Sequence, residues 1–164
     1  MQRRTFLRLS IFGAVVLGAG AVALRITGHG SPAEARANAE QVLRGVIPAL
    51  LLGALPIDPP ANKAAQQAAL ERTLAAIAGL APATRGELDQ LFGLLASHPG
   101  RWLAGLDWSS ATPDEAARFL QRWRTSSFSL FVAGYQALHD LVLGSWYADA
   151  STWPSIGYAG PPQL

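Results

Sequence analysis

The chain contains no cysteine, and that absence removes several classes of protein at once. Structural disulfides, thiolate metal sites, cysteine nucleophiles, cysteine-ligated iron–sulfur clusters and thioether-attached haem all require a thiol. Charge is sparse as well, at 15% of residues against 50% hydrophobic. A disordered chain or a phosphate-tracking surface has the opposite balance. Three histidines and eleven carboxylates are all that acid–base or metal chemistry could draw on, and no Glu-x-x-His pair exists to build a di-iron bundle. Glycine-rich phosphate loops are missing too, because Gly13, Gly18 and Gly20 sit inside an apolar N-terminal run and follow no strand.

The small positive net charge belongs to the N-terminus. Five of the thirteen basic residues, Arg3, Arg4, Arg8, Arg25 and Arg36, precede residue 38. From Asn38 onward eight Lys and Arg face ten Asp and Glu, so the body is slightly acidic and nucleic acid is not an expected partner. Arg118, Arg122 and Arg124 form its one basic cluster. A solvated helix face accounts for it, with an acidic partner surface as the sharper reading.

"MQRRTFLRL" places three arginines ahead of an uncharged stretch from Leu9 to Leu24, the order of an export signal. That stretch is shorter than the roughly 20 apolar residues that span a bilayer core. A cleavable signal is therefore expected, with an uncleaved anchor as the alternative. Ala35-Arg36-Ala37 offers a small-x-small cleavage site, though one far from the apolar run. Arg3-Arg4-Thr5-Phe6-Leu7-Arg8 resembles the bacterial twin-arginine signal, with Arg3, Arg4, Phe6 and Leu7 as the matching residues. Gln2 stands where Ser or Thr is usual, and Arg8 where Lys is common. The resemblance implies export of a folded protein by the twin-arginine translocase into the periplasm, with membrane contact only through this signal.

The body shows helical spacing throughout and no alternating strand pattern, which predicts an all-α bundle of about five helices. The chain divides into a signal segment at 1–37, a helical domain at 38–147 and an extended, irregular aromatic tail at 148–164. A first helix is expected from Ala33 to about Leu55, interrupted or kinked at Pro48. "LPIDPPAN" reads as a loop, with Asn62 capping a second helix to about Leu80. Thr84 and Glu87 suggest a capping box for a third helix, which His98-Pro99-Gly100 ends. "RWLAGLDW" reads as a single turn packing Trp102, Leu103 and Leu106. Thr112-Pro113-Asp114-Glu115 is the strongest helix start in the chain. The last and most apolar helix, Phe128 to Tyr147, is expected at the centre of the bundle.

Catalytic residues are hard to assemble. His139 and Asp140 are sequence neighbours expected on different sides of their helix, and Tyr135 is the partner of His139 one turn back. No nucleophile joins them, so a histidine at the edge of a core or interface is the simpler reading. An enzyme built on His139, Tyr135 and Asp140 ranks last. Ser126, Ser127 and Ser129 lie where helix capping explains them.

The tail, "WYADASTWPSIGYAGPPQL", holds four of the eight Trp and Tyr residues. Such a segment either folds back over a core or is offered to another protein. "ALHDLVLGSWYADASTWPSIGYAGPP", together with the leader and the helical middle, resembles the gluconate 2-dehydrogenase subunit 3 family, the small subunits of bacterial FAD-dependent dehydrogenases. The residues that carry the match are Tyr147, Asp149, Trp153, Gly157, Tyr158, Gly160 and Pro161. The resemblance implies a non-catalytic subunit, holding no cofactor of its own, that carries a large FAD-containing flavoprotein of the glucose–methanol–choline type. It also implies electrons passing onward to a cytochrome c subunit. Trp146 and the seven matching residues are the expected partner-binding set. A stand-alone periplasmic ligand-binding protein, with a pocket between apolar helices, is the competing reading.

Overall fold

The computed structural model describes residues 31–100 and 105–160. The twin-arginine residues Arg3, Arg4, Phe6 and Leu7 lie outside the described residues, as do Trp102, Leu103 and Pro161. Among the described residues the chain is all-helical, with no strand, and forms a small bundle. The elements are α1 (Pro32–Leu50), α2 (Pro59–Ala78), α3 (Pro82–Ala96), α4 (Pro113–Arg124), α5 (Ser129–Tyr147) and a 3-10 helix (Ala150–Ile156).

Proline at the first helical position and an oxygen-bearing residue before it set most of the starts. Ser31 accepts the Glu34 amide at 3.2 Å and opens α1, so the Ala35-Arg36-Ala37 sequence is helical. Pro48 does not interrupt α1. It stands within its last turn, where one lost hydrogen bond has little helix left to disrupt. The start of α2 differs from the expectation of an Asn62 cap: Asp58 is the cap, accepting the Ala61 amide at 3.0 Å, because Pro59 and Pro60 already have helical φ. Asn62 lies inside the helix and donates to the Pro56 carbonyl at 2.7 Å. Helix α3 starts at Pro82, ahead of the expected capping box, with no side-chain cap. Thr84 is then already within its first turn. The Arg85 guanidinium instead reaches back to the Ala78 and Leu80 carbonyls at 2.6 and 3.0 Å, partnering oxygens that the end of α2 leaves open. The expected start of α4 holds in full. Thr112 and Glu115 exchange hydrogen bonds at 2.9 and 3.3 Å, and those from Thr112 hold the Glu115 carboxyl below its ordinary range.

The central helix is α1, not α5. It packs against α2, α3, α4 and α5, and Ala39, Val42, Leu43, Val46 and Ile47 are all buried. Small residues make this possible: a Cβ on Gly45 would sit 2.7 Å from Cε3 of Trp108, so only glycine admits that indole. Trp108 is fixed there by donating Nε1–H to the Leu95 carbonyl at 3.1 Å. Leu106 is buried in the same segment, as the sequence suggests. From Trp108 a run of rings continues through Phe119 (5.1 Å), Trp123 (4.6 Å), Phe131 (5.3 Å) and Phe128 (6.0 Å). Gly134 on α5 admits Trp123 as Gly45 admits Trp108. Helix α5 buries only Gly134, Leu138, Val142, Ser145 and Trp146, while much of its apolar surface is half-exposed.

Candidate functional site

The aromatic tail is folded over its first half rather than extended. Asp149 follows α5 and accepts the Ser151 amide at 2.9 Å, which starts the 3-10 helix. Gly157 ends it with φ +69°, a left-handed position suited to glycine. Thr152, between them, is buried, and its hydroxyl faces the Trp146 and Asp149 carbonyls at 3.1 and 2.7 Å. Trp153 donates Nε1–H to the Tyr147 carbonyl at 2.9 Å. The tail is thereby clasped onto the end of α5 through backbone groups that the helix terminus leaves open.

A second fastening comes from α2. Arg72 pairs with Asp149 through Nη2 and Oδ2 at 2.7 Å, and its guanidinium carbon lies 5.7 Å from the centre of the Trp146 ring. Hydrogen bonds from Ser151, with a smaller contribution from Arg72, hold the Asp149 carboxyl below its ordinary range. Two buried donors at this junction, Arg72 Nη1 and Trp146 Nε1, have no acceptor among the described residues.

The expected partner-binding residues therefore divide by position. Trp146 is 5% exposed and belongs to the core, so its own bundle holds it. Tyr147 and Asp149 anchor the clasp. Tyr158 returns over Trp153, its amide donating to the Trp153 carbonyl at 3.2 Å and the rings meeting edge to face at 5.2 Å. Gly160, at φ +100°, passes so close that an added Cβ would sit 3.3 Å from Cζ3 of the same indole. The outward surface is formed by Tyr158, 47% exposed, the exposed Ile156 and the open side of Trp153. Sequence reading missed Ile156 and Arg72. A lone Ile carried no signal, and Arg72 becomes meaningful only once α2 and α5 pack.

His139 and Asp140 do not point apart as expected. Asp140 Oδ1 lies 3.0 Å from His139 Nδ1, since the rotamers of adjacent residues can converge even when their Cβ atoms diverge. Tyr135 does lie beside His139, with ring centroids 5.4 Å apart and the rings tilted. Among the described residues no group of three or more His, Asp and Glu side chains could hold a metal ion. Ser126 accepts the Phe128 amide at 3.1 Å, a local turn role. Elsewhere, an open groove of about 610 Å³ between α1 and α2 is lined by Arg44, Ile47, Pro60, Lys63, Gln67 and Leu70.

Comparison with protein-family models, with curated proteins and with solved structures gives no match to this chain.

Proposed function

We propose that this chain is a non-catalytic small subunit that carries a FAD-dependent dehydrogenase through the twin-arginine pathway and stabilises it in the periplasm. The observation that carries the reading is the joint presence of two motifs at opposite ends of one small helical chain. Arg3-Arg4-x-Phe6-Leu7 resembles a signal for folded cargo. Tyr147, Asp149, Trp153, Gly157, Tyr158 and Gly160 resemble the family's C-terminal stretch, and each has a definable place in the clasp. In this reading the half-buried members of the motif, Tyr147, Asp149 and Trp153, build the clasp, while Tyr158, Ile156 and the open edge of Trp153 meet the flavoprotein. Exposed aromatic side chains on a pre-ordered segment suit that purpose, because little freedom is lost on docking. The cofactor, FAD, belongs to the partner, and a cytochrome c subunit would accept its electrons.

Replacing both Arg3 and Arg4 by Lys tests the carrier role. Both this chain and the flavoprotein should then remain in the cytoplasm. A flavoprotein that still reaches the periplasm in the double variant contradicts the role.

The α1–α2 groove favours a second reading, a stand-alone ligand-binding protein. Arg44 and Lys63 over an apolar floor of Ile47 and Leu70 suit a small anion with an apolar tail. Calorimetry of the isolated chain against short-chain carboxylates checks it: saturable binding lost in Arg44→Ala supports the groove, and no heat of binding counts against it.

A further inference from the structure

Four of the six large apolar side chains exposed among the described residues lie on or beside two connections. Leu52 and Ile57 lie between α1 and α2, 77% and 99% exposed, and Phe128 is 70% exposed at the α4–α5 corner, with Leu130 exposed beside it. The packing brings these connections to one end of the bundle. Arg72, about two turns from the C-terminal end of α2, meets Trp146 and Asp149 at the C-terminal end of α5. The two helices pack along each other, so they run parallel and their N-terminal ends lie together. The ring series agrees: it starts at Trp108, packed on Gly45 in the C-terminal half of α1, and ends at Phe128.

The segments around the two connections are basic. Residues 44–63 and 118–131 contain Arg44, Lys63, Arg118, Arg122 and Arg124 against a single carboxylate, Asp58, which caps α2. The other ten carboxylates lie outside these two segments. The clasp and its acidic neighbours, Asp140 and Asp149, are at the far end of α5.

We propose that the loop end of the bundle docks on an anionic lipid bilayer. Leu52, Ile57, Phe128 and Leu130 enter the boundary between headgroups and acyl chains, and the flanking cations meet lipid phosphates. The chemistry favours a bilayer over a protein partner. None of the four side chains carries a hydrogen-bonding tip, and Leu is under-represented among protein hot spots, where Trp, Tyr and Arg dominate. The four also stand at two separate corners of the bundle, which a fluid apolar phase accepts without a matching pocket. No helix among the described residues is long and apolar enough to cross a membrane, so this is contact with one leaflet, added to the contact expected through the N-terminal signal alone. It leaves the clasp at the other end free, and it does not depend on the identity of any protein partner.

The lack of cysteine permits a clean test on the full chain. Single variants Ile57→Cys, Phe128→Cys and Ile156→Cys are labelled with an environment-sensitive dye and mixed with phosphatidylglycerol–phosphatidylcholine vesicles carrying a nitroxide on the acyl chain. The dye at 57 and at 128 should shift to the blue and be quenched, while the dye at 156 stays unchanged. Pure phosphatidylcholine or high salt should abolish the response. Ile57→Ser and Phe128→Ser should each lower vesicle partitioning about tenfold. No response at 57 and 128 overturns the proposal and points to a protein surface instead. Equal quenching at 156 overturns it as well, because the loop end would then have no preference for the bilayer.

Discussion

Arg72 and Asp149 are separated by the end of α2 and all of α3, α4 and α5, and meet at 2.7 Å. Their pairing ties the second helix of the bundle to the start of the tail, across the face of Trp146. Asp149 also accepts the Ser151 amide, so one carboxylate holds both the tail's position and its first turn.

That double role gives the clasp an acid sensitivity. Folding lowers the Asp149 carboxyl below its ordinary value, so its contribution is present at neutral pH and is lost as pH falls through the lowered value. Amide exchange at Ser151 should accelerate relative to the core as the solution is acidified below about pH 4. In Asp149→Asn the same amide should exchange faster at neutral pH and lose that dependence. Glu115 is lowered in the same sense by Thr112, so the local amide is the readout, not global melting.

Trp108 and Trp146 predict opposite costs for one substitution. Trp108 Nε1 bonds to the Leu95 carbonyl, so Trp108→Phe leaves a buried acceptor unpaired. Trp146 Nε1 has no acceptor among the described residues, so Trp146→Phe removes a donor unpaired there. Denaturant unfolding should show Trp108→Phe the more destabilising by about 1–3 kcal/mol.

Gly45 and Gly134 are closest-approach positions on α1 and α5. Alanine normally improves a helix interior by about 1 kcal/mol over glycine. Here the new methyl would meet Trp108 at 2.7 Å or Trp123 at 2.5 Å, and overpacking of this kind costs about 1–3 kcal/mol. Gly45→Ala and Gly134→Ala should both lower the melting temperature. Gly86→Ala, where a Cβ meets nothing within 4 Å, should not.

Part of this arrangement is legible in the sequence. Thr112-Pro113-Asp114-Glu115 predicts its helix start because the capping box is entirely local. The three-and-four spacing of Phe128, Phe131, Tyr135, Leu138 and Val142 predicts an inward face of α5 that holds at Leu138 and Val142, whereas Phe131 and Tyr135 are half-buried and Phe128 is exposed. Competing local signals blur the rest. Asp58 and Asn62 both precede an apolar run, and only the φ of Pro59 and Pro60 decides for Asp58. The most apolar helix is not the central one. Composition does not reveal that Gly45 and Gly134 let indoles press against their helices. The tail motif can be recognised by its residues, but Arg72, which fastens it, has no sequence signature because the contact exists only after α2 and α5 pack.

For the proposed interface the useful substitution is small. Removing residues 146–164 would take Trp146 out of the core as well, so loss of a partner would report misfolding. Tyr158→Ser should preserve the helical circular dichroism and melting profile of the chain while reducing retention of the flavoprotein about tenfold or more, in keeping with the loss of an aromatic anchor. Unchanged retention would place the interface elsewhere.

The central claim is that this chain is the small subunit of a flavin-dependent dehydrogenase. Its most direct test is the ultraviolet–visible spectrum and intact mass of material purified from the native host through a tag on this chain. The account predicts an oxidised-flavin spectrum together with a second, much larger polypeptide. A colourless monomer would contradict it.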